Sequence, residues 1–367
     1  MCNLSVPRPI PRRVLVVATK RLGDVLLSTP LIRSLRRAWP QAHIAALVFA
    51  DTASVLTANT DLDAILTVAR RPTLRQHLRL LADVWRRYDL ALSTEPGDRP
   101  TLYAWIAGKR RIGVAANGMK DRWKRVLLND WVAFDDANTH TVAMNLRLAD
   151  LAGVARSHEV VSAWSADDAA RVREVIPSTA YAVLHLHPKF AYKAWHAAGW
   201  IALGRWLDAG GLRLVLTGSD DPDEIESIDR LLPQLPAGTL NVAGRFTLPQ
   251  VACLLSQARL FVGPDTITTH MAASLGTPTI ALFGPSNPVK WGPWPRAFEA
   301  DSSPFKLHGS QHVGNVILVQ GEAPCVPCMQ EGCERHIRSL SACLQQLPAE
   351  RVIHAARALL DRPQPAP

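Results

Sequence analysis

The chain has 367 residues, a net charge of +9 and a hydrophobic share of 48%. That length exceeds one ordinary domain and sets an expectation of two, each with a core of its own. No apolar run approaches the roughly 18 residues of a membrane span, and the opening MCNLSVPRPIPRRVLVVATK is too broken by proline and arginine for a signal peptide, so a protein made and kept in the cytosol is expected.

The charge is unevenly placed. Residues 1–165 carry 24 lysines and arginines against 14 acids, a balance of +10, whereas the remainder carries 17 against 18. Arg70-Arg71, Arg86-Arg87, Lys109-Arg110-Arg111 and the run from Lys120 to Arg125 recur along that half. They read either as solvated helix faces or as the footprint of an anionic partner such as a phosphorylated lipid, a membrane face or nucleic acid.

In chain order, Val14–Val17 is a buried-strand signal followed by Ala18-Thr19-Lys20-Arg21-Leu22-Gly23-Asp24 and then by apolar residues at helical spacing from Val25 to Leu35. Gly23 lets backbone approach a ligand, and Asp24 begins the helix, either as a cap or as a side chain turned to a site. His43–Phe49 reads as a strand, Leu74–Tyr88 as an amphipathic helix, Leu90–Ser93 as a strand with Glu95-Pro96-Gly97-Asp98 on its rim, and His140–Ala152 as a helix. Strands alternating with helices predict a mostly parallel sheet covered on both faces.

Periodicity weakens between Gly153 and Pro177, and a second series starts at Tyr181–His187. It continues through a helix at Ala197–Ala209, a strand at Arg213–Leu216, a turn at Thr217-Gly218-Ser219, an acid-capped helix at Pro222–Leu232, a strand near Asn241 and a helix at Leu248–Gln257. A strand at Leu260–Val262, the turn Gly263-Pro264-Asp265-Thr266, a short helix through His270 to Leu275 and a strand at Thr279–Phe283 complete it. The last four elements form a crossover whose helix amino terminus stands beside a strand end, an arrangement that suits a phosphate. The expected division is 1–165 and 178–348, with a helix at 349–362 that crosses back to the first domain, a hinge between 165 and 178, and a disordered tail from Pro363 to Pro367.

With Arg21-Leu22-Gly23-Asp24-Val25-Leu26-Leu27-Ser28-Thr29-Pro30-Leu31 at one end, and Gly263-Pro264-Asp265-Thr266 through His270, Gly284-Pro285 and Trp291-Gly292-Pro293 at the other, the sequence resembles glycosyltransferase family nine, the bacterial lipopolysaccharide heptosyltransferases. The resemblance spans nearly the whole chain. It implies an α/β fold of the GT-B kind, two Rossmann-like doubly wound domains facing across a cleft, the second holding ADP-heptose and the first the lipopolysaccharide inner-core acceptor. It implies inverting transfer with no cofactor required, Asp24 as general base, and Lys20 and Arg21 of the same loop at the acceptor. Lys193, Asp265, Thr266 and His270 match the donor-binding residues, and Glu224 the acid that meets the adenosine part. Many relatives have glycine where this chain has Ile267. A lipid-borne acceptor would hold the protein at the cytoplasmic face of the inner membrane, as a peripheral protein.

Asp221-Pro222-Asp223 mimics a metal-binding Asp-x-Asp but is better read as acids at a helix start. Cys325, Cys328, Cys333 and Cys343 have the spacing C-x2-C-x4-C-x9-C, which suits zinc or an iron-sulfur cluster, with His336 as a further ligand; a structural metal or reduced thiols are both open. Cys2 reads as an ordinary terminal residue and Cys253 as a buried helix residue. The competing readings are transfer of another nucleotide-linked sugar to a related glycan, a sugar-nucleotide epimerase, and a non-catalytic nucleotide- or nucleic-acid-binding protein. Against the last, no nucleic-acid motif is recognisable, so no nucleic-acid partner is expected.

Overall fold

The computed structural model describes residues 9–176 and 179–361. The amino-terminal stretch with Cys2, residue Pro177 and the tail Pro363 to Pro367 lie outside the described residues. The chain forms two compact units. One takes residues up to 53, 60–135 and 144–157, and the other takes 54–59, 136–143 and the chain from 158 on.

The first unit is a six-stranded parallel sheet. Its strands are β1 (Arg13–Ala18), β2 (His43–Phe49), β3 (Ala64–Val68), β4 (Tyr88–Ser93), β5 (Gly108–Ala115) and β6 (Asp130–Ala133), in the order β3-β2-β1-β4-β5-β6. Its helices are α1 (Leu22–Leu26), α2 (Thr29–Ala38), α3 (Leu74–Val84), α4 (Asp98–Ala107), α5 (Arg122–Leu127) and, from Met144 on, α6 (Thr141–Ala152). Val14 and Val16 of β1 pack on one face with Leu31, Leu35 and Leu148, whereas Leu15 and Val17 pack on the other with Leu47, Tyr103 and Ala104. A strand covered on both faces has no polar side, which is why β1 reads as an unbroken apolar run.

Helix α3 stops at Val84, four residues short of the expected Tyr88. The chain reverses through Arg86, which takes a left-handed φ of 52°, its N–H donating to the Ile106 carbonyl at 2.9 Å, and Tyr88 is already the first, buried residue of β4.

The second unit holds β7 (Tyr181–His185), β8 (Arg213–Thr217), β9 (Leu240–Asn241), β10 (Leu260–Pro264), β11 (Thr279–Phe283), β12 (Gln311–Val313) and β13 (Val316–Gln320), in the order β12-β13-β11-β10-β7-β8-β9. All its pairings are parallel except β12 with β13. Around it stand α7 (Ala166–Val175), α8 (Ala197–Ala209), α9 (Pro222–Leu231), α10 (Leu248–Ser256), α11 (Ile267–Leu275), α12 (Pro288–Trp291), α13 (Ala342–Gln345) and α14 (Ala349–Leu360).

Two expectations about organisation are corrected. The hinge sought between 165 and 178 holds α7 instead, capped by Ser165, whose hydroxyl accepts from the Asp168 N–H, and α7 packs against α10, so the second unit already begins at His158. The last helix, α14, does not cross back: Val352, Ala355, Ala356 and Leu359 join Leu203 of α8 and Leu282 of β11 in the second unit's core. Its apolar stripe at helical spacing is used up there. Leu359→Ala, at a side chain 4% exposed, is expected to destabilise the second unit by about 2–5 kcal/mol, the usual cost of such a cavity, read by chemical denaturation.

Candidate functional site

In each sheet the chain adds strands outward on one side, then returns to the centre and adds strands on the other. The first sheet reverses between β1 and β4, the second between β7 and β10. At such a point the crossovers leave in opposite directions, and the carboxyl ends of the two central strands are left open to a ligand.

In the first unit those ends carry Thr19 to Asp24 after β1 and Thr94-Glu95 after β4, clamped together by the Thr94 N–H and hydroxyl, both donating to the Val17 carbonyl at 3.1 Å. Asp24 is not the cap of α1. That position is Arg21, with no side-chain cap bond, and Asp24 lies in the first turn with Lys20 Nζ 3.7 Å from its Oδ1. Lys20 also lies 6.0 Å above the Phe134 ring.

Glu95, singled out in the sequence only as a rim residue, is the most perturbed carboxyl of this unit. It is 6% exposed and its Oε1 has no hydrogen-bond partner. Burial, reinforced by the nearby charge of Asp24, pushes its pKa up to about 8, although Lys20 and the Thr19 N–H pull the other way. Glu95 therefore keeps its proton at neutral pH. An acid placed directly after a doubly buried strand at the sheet's point of reversal is the signal that could have identified it.

The second unit builds its site around Asp265, just past β10. Lys193, from the loop after β7, donates to Asp265 Oδ2 at 2.5 Å and to the Asp265 carbonyl at 3.2 Å, and His270 Nε2 lies 3.6 Å from Oδ1. Burial alone would raise this carboxyl, but the Lys193 ammonium and His270 outweigh it and hold it well below the usual range. The structure therefore brings Lys193, 72 residues away in sequence, to Asp265 and His270.

The cap of α11 is Thr266 rather than Asp265, and its side chain makes no cap bond, its hydroxyl lying 3.4 Å from that of Thr269. Ile267 is the first helical residue, half-buried. Helix α11 thus presents an amino terminus whose N–H groups are not taken by its own cap, beside a lysine.

At the β8 end, Glu224 is buried on α9. Ser219 donates its hydroxyl to Oε2, Oε1 is unpaired, and burial raises its pKa. A Cβ on Gly218 would stand 2.8 Å from that Oε1, so glycine is what lets the carboxyl reach the turn. Asp221 caps α9 by accepting from the Asp223 N–H at 3.0 Å, so the Asp-Pro-Asp acids serve the helix start.

The family described as glycosyltransferase family 9 (heptosyltransferase) matches residues 82–311. The chain belongs to that family. It is 27% identical over 286 residues to lipopolysaccharide heptosyltransferase 3 of Escherichia coli, covering 74% of this chain and 83% of that one. Among solved structures it is similar to the glycosyltransferase family 9 protein of Veillonella parvula DSM 2008, with 20% identity, TM-score 0.75 and coverage of 95% and 97%. It is similar also to E. coli ADP-heptose lps heptosyltransferase II, with 20% identity, TM-score 0.71 and coverage of 95% and 98%. The protein is thus a glycosyltransferase with the α/β fold of the GT-B heptosyltransferases.

The cysteine expectation does not carry over to the heptosyltransferase fold seen here. Among the described residues no three His, Cys, Asp or Glu side chains are gathered so as to hold a metal. Cys343 is buried on α13 against Gly284 and Gly321, whereas Cys325 and Cys333 are exposed, and His336 is turned to Glu334 at 2.9 Å. Cys333 Sγ accepts instead from the Ala342 N–H at 3.3 Å. Burial first, then the neighbouring thiols, push the Cys343 thiol up to about 11, so it is neutral at physiological pH. Cys253 is the buried helix residue expected.

The Glu95 carboxyl gives a sign-definite pH effect. Its folded pKa of about 8 lies above the ordinary glutamate value of 4.5, so folding takes up a proton between the two. The stability this proton carries is fully present below pH 4.5 and lost as pH rises through 8. Glu95→Gln, which cannot ionise, should therefore gain melting temperature relative to wild type on going from pH 5 to pH 9. Parallel thermal melts of the two proteins across that range are the check, and an unchanged difference would remove the buried ionisation.

Proposed function

We propose that the protein is an inverting heptosyltransferase that moves heptose from ADP-heptose to the lipopolysaccharide inner core, with Asp24 as general base. The acceptor hydroxyl attacks the anomeric carbon from the face opposite the nucleotide. The C–O bond to the diphosphate breaks as the new glycosidic bond forms, the configuration inverts, and the proton of the hydroxyl passes to Asp24. The observation that carries this reading is that each unit has a charged point of reversal of its own, an ionic loop from Lys20 to Asp24 in the first and a lysine beside an open helix amino terminus in the second.

Loss of a diphosphate needs positive charge near the departing oxygens more than it needs covalent chemistry. Lys193 supplies an ammonium already held by two contacts to Asp265, the free N–H groups of α11 and the Thr266 hydroxyl supply donors, and His270 braces Asp265 from its other side. Ile267 at the first turn of α11 limits how deeply the pyrophosphate sits. Glu224, with one oxygen free, is the acceptor for a ribose hydroxyl of the adenosine part.

Lys20 and Arg21 meet phosphate or carboxylate groups on the core sugars. The names of the similar proteins, a lipopolysaccharide heptosyltransferase and an ADP-heptose transferase, support these substrates. An acceptor carried on a lipid puts the working enzyme at the cytoplasmic face of the inner membrane as a peripheral protein. No helix among the described residues is long and apolar enough to cross a membrane.

Asp24→Ala should lower transfer by at least about 10²-fold, the lower end of what a general base contributes, with ADP binding unchanged. Truncated lipopolysaccharide incubated with ADP-heptose and weighed by mass spectrometry reads the transfer, and full turnover by the variant would take Asp24 out of the mechanism. Lys193→Ala should weaken donor binding by roughly 10- to 100-fold, the worth of one charge-assisted hydrogen bond. Titration calorimetry with ADP measures it, and an unaltered dissociation constant would sink the assignment.

A further inference from the structure

The excess positive charge of the first unit does not fall on its site alone. Helices α3 and α5 both pack against α4, so the three form one layer on a single face of the sheet. The inner side of that layer is built from Leu80, Leu81, Val84, Tyr103 and Ala104. Its outer side is apolar as well. Leu74 and Leu78 of α3 are 76% and 57% exposed, Val126 of α5 is 77% exposed, and Met119 just before α5 is 88% exposed. Trp85, Leu102, Trp123 and Trp131 continue the series around α3, α4, α5 and β6.

Such residues are costly to leave in water, and here they are held out by fixed structure rather than by loose chain. Helix α3 starts at a reciprocal cap, with the Thr73 N–H donating to Gln76 Oε1 at 2.9 Å and the Gln76 N–H donating back to the Thr73 hydroxyl at 3.3 Å. It ends at the Arg86 turn pinned to Ile106. Trp131 is held by the Arg125 guanidinium 5.4 Å above its ring.

Exposed arginines and lysine stand among these residues: Arg75 and Arg79 one turn apart on α3, Arg71 just before it, and Lys120 and Arg122 beside Met119 and Trp123. Apolar side chains flanked by long cationic ones, whose stems lie along apolar surface while their heads reach anionic groups, are the chemistry of a helix lying in a lipid headgroup layer. A nucleic acid would satisfy the cations but offers Leu74, Leu78, Met119 and Val126 nothing to bury against.

We propose that the outer face of the α3–α4–α5 layer docks on an anionic phospholipid surface, with Leu74, Leu78, Met119, Trp123 and Val126 entering the headgroup boundary and the adjacent arginines and Lys120 binding lipid phosphates. The proposal rests on the reading of the acceptor as lipid-borne for its partner, and it adds the surface by which the enzyme reaches that acceptor. None of these residues belongs to the loops that hold Asp24, Lys193 or Asp265.

The test is sedimentation of the full-length protein with vesicles of phosphatidylethanolamine and phosphatidylglycerol, against vesicles of phosphatidylcholine alone. Wild type is expected to pellet with the anionic vesicles and to be released at least tenfold by the double variant Leu78→Glu/Val126→Glu. That variant should melt like wild type, because both side chains are exposed, and should transfer heptose at the wild-type rate to a delipidated, water-soluble core acceptor. Arg75→Glu/Arg79→Glu should lose vesicle binding too. Absence of wild-type binding to anionic vesicles overturns the proposal. So does vesicle binding that Leu78→Glu/Val126→Glu leaves unchanged, or binding that high salt abolishes in full and a polynucleotide displaces, which marks a general polyanion surface. Failure of wild type on the soluble acceptor would instead count against the transferase reading, with the vesicle result still deciding the docking face.

Discussion

A parallel strand can be followed by its neighbour only through a crossover, and crossovers have one hand. Everything at the candidate site follows from that constraint. Because the sheet must grow away from its first strand in one direction and later in the other, the two central strands end beside each other with no helix drawn across them. In one unit this leaves Asp24 and Glu95 at neighbouring strand ends; in the other it leaves Lys193 beside Asp265. The pairs are seventy or more residues apart in sequence, yet each is separated in space by a single strand-to-strand step.

The two points of reversal are charged in opposite styles. In the second unit a buried carboxylate is surrounded by a lysine and a histidine, and its negative charge is secured by them. In the first unit two carboxyls share one neighbourhood with a single lysine, and the deeper of the two keeps its proton. The same physical terms, burial and neighbouring charge, act in both places, and the difference lies in the partners: Asp265 has the Lys193 ammonium in direct contact, whereas Glu95 Oε1 has no hydrogen-bond partner. In the proposed transfer, the second unit's arrangement would offer a diphosphate fixed charge that needs no reorganisation when it arrives.

Much of this was legible in the residues. The strands buried on both faces announced themselves as unbroken apolar runs, and β2 and α8 fall on the expected spans. The Rossmann-like organisation followed from their alternation. What escaped between 53 and 139 was β3, β5 and β6. There β3 is partly exposed, β5 carries a lysine and two arginines directly after Gly108, and β6 is only four residues long, so their patterns were drowned by charge. The hinge was mislaid because α7 is rich in acids and alanine, and weak apolar periodicity was taken for a linker, although its serine cap was written in the sequence. Of the candidate site, Lys193, Asp265 and His270 were named through a family resemblance, and the structure brings them together. Glu95 was named only as a rim residue, because what distinguishes it is depth of burial, and burial belongs to topology rather than to any local pattern.

The edges of the second sheet are short. On one side stands β9, two residues long, and on the other β12, three residues long, folded back antiparallel through Gly314, whose φ of 57° makes the tight return. An open sheet invites another chain to continue its ladder, and few exposed N–H and C=O groups remain here to serve as a template. This unit is therefore poorly suited to join copies of itself strand to strand. Its helices and loops, whose side chains can be specific in a way a bare backbone edge cannot, offer the better surface for any assembly.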